Sequence, residues 1–336
     1  MTMNGKTLVI GDGGWGEAIA LALHRAGRQV AVWGIDAEYV AEVAASRDNR
    51  KYLAGVPIPA DLGWTHDVDE ALDGTVEVYS VVPTQFLRST LSHFEGRLQG
   101  LPILSASKGL EISTLQRPTE ILADVLGESE RLGVLSGPSH AEEVGRGRVT
   151  TVVIAAHQAA IAERAQQRIS SDSFRVYTSE DLVGVELGGA LKNIIAIAAG
   201  VVDGIGLGDN AKAALVSRGL VEMARFGEAL GAQRETFFGL SGAGDLMVTC
   251  YSQHSRNRSL GERVGGGETL DQILASTEKV AEGVWTCKAI RRAAAERGIE
   301  MPITEALGAI LFDGRDVREA VNELMTRPNR SELDPA

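Results

Sequence analysis

The first half of the chain alternates short β-branched apolar runs with stretches of helical period, and this alternation limits the fold more than any other feature. KTLVIG (6–11) is strand-like, EAIALALHRAG (17–27) has helical period, and RQVAVW (28–33) is strand-like again. Further strand-like runs are EVYSVV, PILSAS, RLGVLSG, TTVVIAA and FRVYT. Continuous apolar strands separated by helices form a parallel, doubly wound sheet. We therefore predict an α/β fold for this half.

The second half has a different pattern, because strand-like runs stop after about residue 180. Segments rich in alanine, leucine and glutamate follow, such as NAKAALVSRGLVEMARFGEALG (210–231) and CKAIRRAAAERG (287–298). Their helical period predicts an all-helical domain. We predict a doubly wound domain at 1–183, a helical domain at 184–328, and a polar, flexible tail at 329–336.

Composition and charge exclude several classes of protein. The 336 residues are enough for two domains, and the net charge of -12 without a basic stripe argues against nucleic-acid binding. Cys250 and Cys287 fit neither a disulfide framework nor a metal-ligand pair, which indicates a reducing compartment. The N-terminus lacks a signal peptide, and no apolar run reaches the roughly 18 residues of a membrane span. We predict a soluble, cytoplasmic protein with no transmembrane segment.

A glycine motif follows the first strand. Gly11, Gly13 and Gly16 in GDGGWG have the spacing G-x-G-x-x-G and precede a helix. In such a loop the first glycine permits a tight turn, the second lets the backbone approach a pyrophosphate, and the third lets the helix pack on the strand. The helix N-terminus then offers amide donors to the phosphates. The alternative is an ordinary tight turn. We interpret the motif as a dinucleotide site, which makes this domain Rossmann-type.

The sequence leaves the kind of dinucleotide open. Asp36 stands about 20 residues past the motif, where an acidic residue binds the ribose hydroxyls of NAD. Arg47, Arg50 and Lys51 are near and could instead hold the 2′-phosphate of NADP. Phe86, which follows a later strand, could stack on the ribose–nicotinamide region, and it fits a core phenylalanine under a loop equally well.

Lys192 is an unusual residue for its surroundings. In ELGGALKNIIAIAAGVVDG (186–204) nothing charged stands between Lys192 and Asp203. Burying an unpaired ammonium costs several kcal/mol, so the lysine either reaches solvent along its stem or has a partner. Asp245, after the glycine-rich GLSGAG, is the candidate partner. Burial lowers the pKa of a lysine and a carboxylate raises it, a balance that suits proton transfer.

Other polar residues follow predicted strands or begin predicted helices. Lys108 follows PILSAS, and Gly137 and Ser139 follow RLGVLS, at the edge where α/β sheets bind ligands. Residues 255–257 combine a serine, an arginine and an asparagine at a helix start, a set suited to a phosphate. The same set also describes a solvated, N-capped surface turn.

Taken together, these blocks resemble the NAD(P)-dependent glycerol-3-phosphate dehydrogenase family of the bacterial type. The resemblance covers nearly the whole chain, in the family's order, through GDGGWG, VVPTQF, SASKGLE, LSGPSHAEEV, ELGGALKNIIAIAAGVVDGIGLGDNAKAAL, GLSGAGDLMVTC, SRNR and KVAEGVWT. It implies reversible reduction of dihydroxyacetone phosphate to sn-glycerol 3-phosphate by hydride from NADH or NADPH, without a metal. The product is a head-group precursor of phospholipids.

The resemblance also implies roles for individual residues. Lys192 is the proton donor and acceptor, and Asp245 orients it or holds a substrate hydroxyl. Substrate contacts fall on Lys108, Gly137, Ser139, Lys192, Asp245, Ser255, Arg256 and Asn257, with Asn193 added for its adjacency to Lys192. Cofactor contacts fall on Gly14, Trp15, Lys108, Ala141, Arg256, Val280 and Glu282, beside the motif glycines.

Two positions depart from the family pattern. Gly14 stands where the family often has serine, and Ile35 stands where it often has histidine or arginine. The change at position 14 removes a hydroxyl donor. The change at position 35 removes a 2′-phosphate contact, so NADH and NADPH both stay open.

Two other functions share part of this pattern. A β-hydroxyacid or 6-phosphogluconate-type dehydrogenase also joins a Rossmann domain to helices and uses a lysine, but SRNR and GAGDL argue against it. A non-catalytic dinucleotide sensor would keep the glycine loop without needing Lys192, Asp245 and Arg256 together. Apolar helix faces such as AALVSRGLVEMA are consistent with a homodimer and also with a core.

Overall fold

The computed structural model describes residues 5–277, 281–329 and 331–332. They form two compact units. The first comprises residues up to 108 together with 116–186, and the second comprises residues 109–115 together with those from 187 onward. Val280 and most of the predicted tail, residues 330 and 333–336, lie outside the described residues.

The first unit contains an eight-stranded sheet. Its strands are β1 (Lys6–Ile10), β2 (Val30–Trp33), β3 (Gly63–Thr65), β4 (Thr75–Ser80), β5 (Ile103–Ser105), β6 (Leu132–Ser136), β7 (Thr150–Ala156) and β8 (Phe174–Ser179). Their order is β3-β2-β1-β4-β5-β6-β7-β8, and all neighbours are parallel except β6 and β7. The predicted doubly wound α/β fold is confirmed, with one antiparallel pair added.

Helices cover both faces of this sheet. They are α1 (Gly14–Arg25), α2 (Ala37–Ser46), α3 (Val68–Leu72), α4 (Leu87–Ser92), α5 (Pro118–Leu126), α6 (Ala141–Gly145) and α7 (Ala159–Ile169). Successive strand residues point to opposite faces. Val9 accordingly packs with α1 and α7 in one core, whereas Leu8 and Ile10 pack with α4 and α5 in the other. Both faces are buried, which explains the continuous apolar runs in the sequence.

Helices form nearly all the regular structure of the second unit. They are α8 (Leu182–Gly204, whose first residues belong to the first unit), α9 (Asp209–Ala229), α10 (Asp245–Tyr251), α11 (Arg256–Gly265), α12 (Leu270–Ala275), α13 (Glu282–Arg297), α14 (Pro302–Phe312) and α15 (Val317–Met325). A single π-helical turn, Leu240–Gly244, precedes α10. The predicted helical character of this half is confirmed.

Glycines set the distance between α8 and α11. A β-carbon built on Gly200 would overlap the carbonyl oxygen of Arg258, and one built on Gly261 would overlap that of Ile197. A turn further along, a β-carbon on Gly265 would lie 2.6 Å from the carbonyl oxygen of Val201. Glycines four residues apart lie on the same face of a helix, so the two backbones touch directly. This contact places the start of α11 beside the middle of α8.

The length of α8 corrects one expectation. We expected no apolar run long enough for a membrane span. Helix α8, with 23 residues, is nevertheless long and apolar enough to cross a membrane, judged by length and composition alone. The most apolar stretch of α8 is entirely buried inside the protein. The two interior charges, Glu186 and Lys192, have partners within the protein. A core helix of a globular protein therefore explains its apolar composition.

Candidate active site

The glycine loop between β1 and α1 has the geometry of a dinucleotide cradle. Gly11 has φ +118°, and a β-carbon on it would lie 2.8 Å from the carbonyl oxygen of Val81. A β-carbon on Gly16 would overlap the carbonyl oxygen of Gly11. Gly13 has no atom within 4 Å of the position its β-carbon would take. Packing therefore requires glycine at 11 and 16, whereas at Gly13 the space is open to a ligand.

Two further observations fit a ligand at this loop. The indole nitrogen of Trp15 is buried and has no hydrogen-bond partner among the described residues. The segment 49–53 packs over the loop, because the Asn49 amide donates to the carbonyl oxygen of Asp12 at 2.9 Å. A β-carbon on Gly14 would lie 2.6 Å from the carbonyl oxygen of Tyr52, so the departure at position 14 accommodates this segment. Nothing in the local sequence around Asn49 marks this contact.

The end of β2 carries Ile35 and Asp36, which are both exposed. One carboxylate oxygen of Asp36 accepts hydrogen bonds from the amides of Glu38 and Tyr39, 3.1 Å each, and so caps α2. Phe86, in a short 3-10 turn after β4, is 56% exposed. The reading of Phe86 as a core residue is therefore wrong.

The ends of β5 and β6 bring three of the predicted residues together. The Lys108 ammonium donates to the carbonyl oxygen of Gly137 at 3.4 Å, and the Ser139 hydroxyl donates to the same oxygen at 2.8 Å. Gly137 has φ +133°, a conformation that favours glycine. Ala141 is the first residue of the five-residue helix α6.

Lys192 is buried, and its ammonium has two acceptors. It donates to Asp245 Oδ1 at 2.6 Å and to Thr249 Oγ1 at 2.7 Å. The side chains of Lys192 and Asp245 are 8% and 2% exposed. The Thr249 hydroxyl in turn donates to the carbonyl oxygen of Asp245 at 2.6 Å. The lysine therefore does not reach solvent along its stem, and it forms a buried ion pair.

The local fold explains how this triad forms. Asp245 begins α10, and Thr249 follows it by four residues, which places both on one helix face. The preceding π-helical turn lies against α8, where a β-carbon on Gly188 would be 2.8 Å from the carbonyl oxygen of Ser241. Sequence reasoning missed Thr249, because its spacing from Asp245 indicates a shared helix face but not a contact with Lys192.

A second polar group links α8, α11 and α13. The Asn257 amide donates to Asn193 Oδ1 at 2.9 Å, and the Gly283 amide donates to Asn257 Oδ1 at 3.1 Å. Ser255 is buried and caps α11 by accepting from the Arg258 amide at 3.2 Å. Arg256, the first residue of α11, is exposed, and Glu282 begins α13.

Comparison with known proteins identifies the family. Residues 6–162 match the model of the N-terminus of NAD-dependent glycerol-3-phosphate dehydrogenase, and residues 181–322 match the model of its C-terminus. The chain belongs to the NAD-dependent glycerol-3-phosphate dehydrogenase family. The resemblance stated from the sequence is thereby confirmed.

Glycerol-3-phosphate dehydrogenases from bacteria are similar to this chain over almost its full length. The protein named glycerol-3-phosphate dehydrogenase (NAD(P)+) from Geobacillus kaustophilus is 49% identical over 329 residues, covering 97% of this chain and 96% of that protein. The one from Exiguobacterium sp. is 46% identical over 329 residues, with the same coverage. The crystal structure of glycerol-3-phosphate dehydrogenase from Coxiella burnetii has a TM-score of 0.91 at 34% identity, covering 97% of this chain and 100% of that one.

Two other kinds of chemistry find no support in this member of the glycerol-3-phosphate dehydrogenase family. Among the described residues, no group of three or more histidine, cysteine or acidic side chains is arranged to hold a metal ion. Cys250 and Cys287 are both free and buried, and burial raises the pKa of each thiol to about 12. Neither thiol is therefore a nucleophile at neutral pH.

Proposed function

We propose that this protein catalyses the reversible reduction of dihydroxyacetone phosphate to sn-glycerol 3-phosphate with NADH or NADPH. The observation that carries the proposal is the buried Lys192 ammonium, held by Asp245 and Thr249 at 2.6 and 2.7 Å. A buried ammonium that two acceptors hold in one position is suited to protonating an oxygen on which negative charge develops. The full-length similarity to glycerol-3-phosphate dehydrogenases favours this function over a β-hydroxyacid or 6-phosphogluconate-type dehydrogenase.

Lys192 acts as the acid in the reduction. Its ammonium hydrogen-bonds the C2 carbonyl oxygen and gives it a proton as negative charge develops there, where one fixed donor contributes about 3–4 kcal/mol. In the reverse direction the neutral amine takes the proton of the C2 hydroxyl. Asp245 and Thr249 both accept hydrogen bonds from the Lys192 ammonium and so fix its position.

The substrate phosphate is assigned to the start of α11. Arg256 supplies a guanidinium that can fork onto two phosphate oxygens, and Ser255 and Asn257 flank it at the N-terminus of the ten-residue helix. The bond between Asn257 and Asn193 holds this helix start beside Lys192. Phosphate binding can therefore hold the ketone in place for the reaction. Such positioning can remove a large part of the activation free energy. Lys108, Gly137 and Ser139 form the remaining proposed substrate contacts.

The dinucleotide is assigned to the glycine loop, because the open space at Gly13 and the buried indole nitrogen of Trp15, unpaired among the described residues, fit it. When bound, the reduced nicotinamide supplies the hydride to C2 of the substrate. The loop amides at the start of α1 would hold the pyrophosphate. Phe86, Lys108, Ala141, Arg256 and Glu282 stay proposed contacts of the cofactor, as does Val280.

The roles of the two domains, the cellular location and the oligomeric state are also proposals. We assign dinucleotide binding to residues 1–183 and substrate binding with proton transfer to 184–328, because the glycine loop and Lys192 fall on opposite sides of that division. We place the protein in the cytoplasm, on the free, buried cysteines. We infer a homodimer from the exposed Phe238, Met247 and Tyr251, which light scattering would test.

A matched pair of lysine variants tests the function. Nicotinamide absorbance with dihydroxyacetone phosphate should show turnover, and Lys192→Met should lower kcat by about 10² to 10⁴. The fluorescence of bound NADH should be unchanged in that variant. Lys288→Met, which removes an exposed lysine on α13, is the control. Near-normal kcat in Lys192→Met would remove the proposed role, and dinucleotide binding without turnover on a panel of hydroxy acids and phosphates would indicate a sensor.

A further inference from the structure

The glycine loop contains an acidic residue, Asp12, that has no role in the proposed reaction. Asp12 stands between Gly11 and Gly13 and is half-buried. Its side chain lies against the end of β2, because a β-carbon on Gly34 would be 2.7 Å from Asp12 Cγ and would overlap a carboxylate oxygen. Gly34 is two residues before Asp36. The chain therefore brings an acidic side chain of the loop to the strand end that carries a second acidic side chain.

The charges of Asp12 and Asp36 act on one another. Burial raises the pKa of Asp12, its own backbone amide lowers it, the charge of Asp36 raises it, and Lys51 lowers it. Asp36 uses one oxygen, Oδ1, to cap α2, so its other oxygen is not engaged by those two amides. Two carboxylates thus face the same edge of the sheet.

The basic residues nearby do not offset the two carboxylates at this edge of the sheet. The Arg47 guanidinium donates to the carbonyl oxygens of Leu62 at 2.8 Å and Pro59 at 3.4 Å, so it is turned away from the strand end. Arg50 is exposed and forms an ion pair with Asp48 at 3.1 Å. Lys51 remains, with its ammonium 5.3 Å from the centre of the Tyr52 ring. Asp12, Asp36 and Lys51 thus place two acidic side chains and one basic side chain near this strand end.

We propose that Asp12 and Asp36 make this enzyme select NADH over NADPH. The inference rests on the proposed function, because it concerns the cofactor of that same site. Carboxylates at the end of the second strand accept hydrogen bonds from the adenosine ribose hydroxyls of NADH. The 2′-phosphate of NADPH carries nearly two negative charges at neutral pH, and like charges brought together across an interface cost several kcal/mol. Exposed Ile35 offers this phosphate no donor.

Binding measurements with the two reduced cofactors test the proposal without turnover. Quenching of tryptophan fluorescence, to which Trp15 at the loop contributes, gives Kd for each cofactor. The wild-type protein should bind NADH at least about tenfold more tightly than NADPH, a difference of one like-charge contact. Asp12→Asn and Asp36→Asn should each reduce this ratio by about threefold or more. Asparagine keeps the side-chain volume and can still cap α2.

A matched control separates the local effect from net charge. Asp172→Asn removes one negative charge from an exposed turn of the same unit and should leave the ratio unchanged. The proposal is overturned if wild-type protein binds NADPH as tightly as NADH. It is overturned too if neither Asp12→Asn nor Asp36→Asn changes the ratio of the two Kd values. It is also overturned if Asp172→Asn changes the ratio as much as they do. Failure to bind either cofactor would instead overturn the proposed function.

Discussion

At the scale of single residues, the burial of a charge depends on what surrounds it. Lys192 keeps its charge in an apolar helix because Asp245 and Thr249 lie one helical turn apart on α10 and both accept from its ammonium. Glu17 is a contrasting case, since it is fully buried in α1 and the Asn49 side chain offsets only part of the cost of that burial. Burial raises the pKa of Glu17 to about 8.

The raised pKa of Glu17 predicts a pH dependence of stability. Between about pH 4.5 and pH 8 the folded protein keeps a proton that the unfolded carboxyl has released. The free energy of unfolding therefore falls as pH rises through this window, by at most about 1.4 kcal/mol per pH unit. Glu17→Gln removes this contribution, so its stability relative to wild type should increase from pH 5 to pH 8 and then level off.

Denaturant unfolding at several pH values between 5 and 9 measures this difference. Glu38→Gln, which changes an exposed residue of α2, should show a constant offset from wild type and serves as the control. Other buried carboxyls, such as Glu77 and Glu222, are the same in both proteins and cancel in the comparison. A difference between Glu17→Gln and wild type that does not change with pH would show that Glu17 is ionised in the folded protein.

The sequence could predict a site residue only where its neighbours in the chain made it conspicuous. Lys192 was identifiable because a charge in a long apolar run is conspicuous, and Asp245 because it follows a glycine-rich turn. Thr249 and Asn49 carry no charge, and their contacts join segments far apart in the chain. A polar uncharged residue in such a segment is common in any protein, so its partner is visible only in three dimensions.

At the scale of elements, the contact between α8 and α11 positions the proposed phosphate site. Gly200 and Gly204 on α8 meet Gly261 and Gly265 on α11, so the helix backbones approach without intervening side chains. The sequence predicted both helices but not this contact. Small residues at a spacing of four are also frequent in helices that do not pack this way, and the pairing of two such stripes is a tertiary property.

Gly261→Ala tests the importance of this close approach. The added methyl group would overlap the carbonyl oxygen of Ile197, which forces the helices apart and should lower the free energy of unfolding by about 1–3 kcal/mol. Separation would also lengthen the bond between Asn257 and Asn193, so KM for dihydroxyacetone phosphate should rise more than kcat falls. Denaturant unfolding and steady-state kinetics measure the two effects.

The control for this substitution lies on the same helix. Ser259→Ala also places alanine in α11, but at an exposed position, and should change stability by less than about 0.5 kcal/mol. Equal effects of Gly261→Ala and Ser259→Ala would mean that the helices adjust to a methyl group at no cost. An unchanged KM in a destabilised Gly261→Ala would separate packing from substrate binding.

At the scale of the whole molecule, the chain passes between its two units more than once. It leaves the first unit after Lys108, returns at Gln116, and leaves again within α8 after Glu186. The alternation of strands and helices predicted the sheet, but β3 was missed because its segment LGWTHD has no continuous apolar run, unlike PILSAS around the equally short β5. The excursion at 109–115 was also missed, because a short irregular segment has no period that could assign it to one unit.

This connectivity predicts that the two units unfold together. Helix α8 is continuous from one unit into the other, and its residue Glu186 accepts hydrogen bonds from the amide and hydroxyl of Thr119 at 2.7 Å each. Loss of either unit would therefore remove part of a helix that the other unit needs. Scanning calorimetry should show one transition, and NADH at about 100 times its Kd should add about 2.7 kcal/mol of stability and raise Tm by about 5 °C. A transition that NADH raises, followed by a second one that NADH leaves unchanged, would show that the units unfold independently and that α8 melts in two parts.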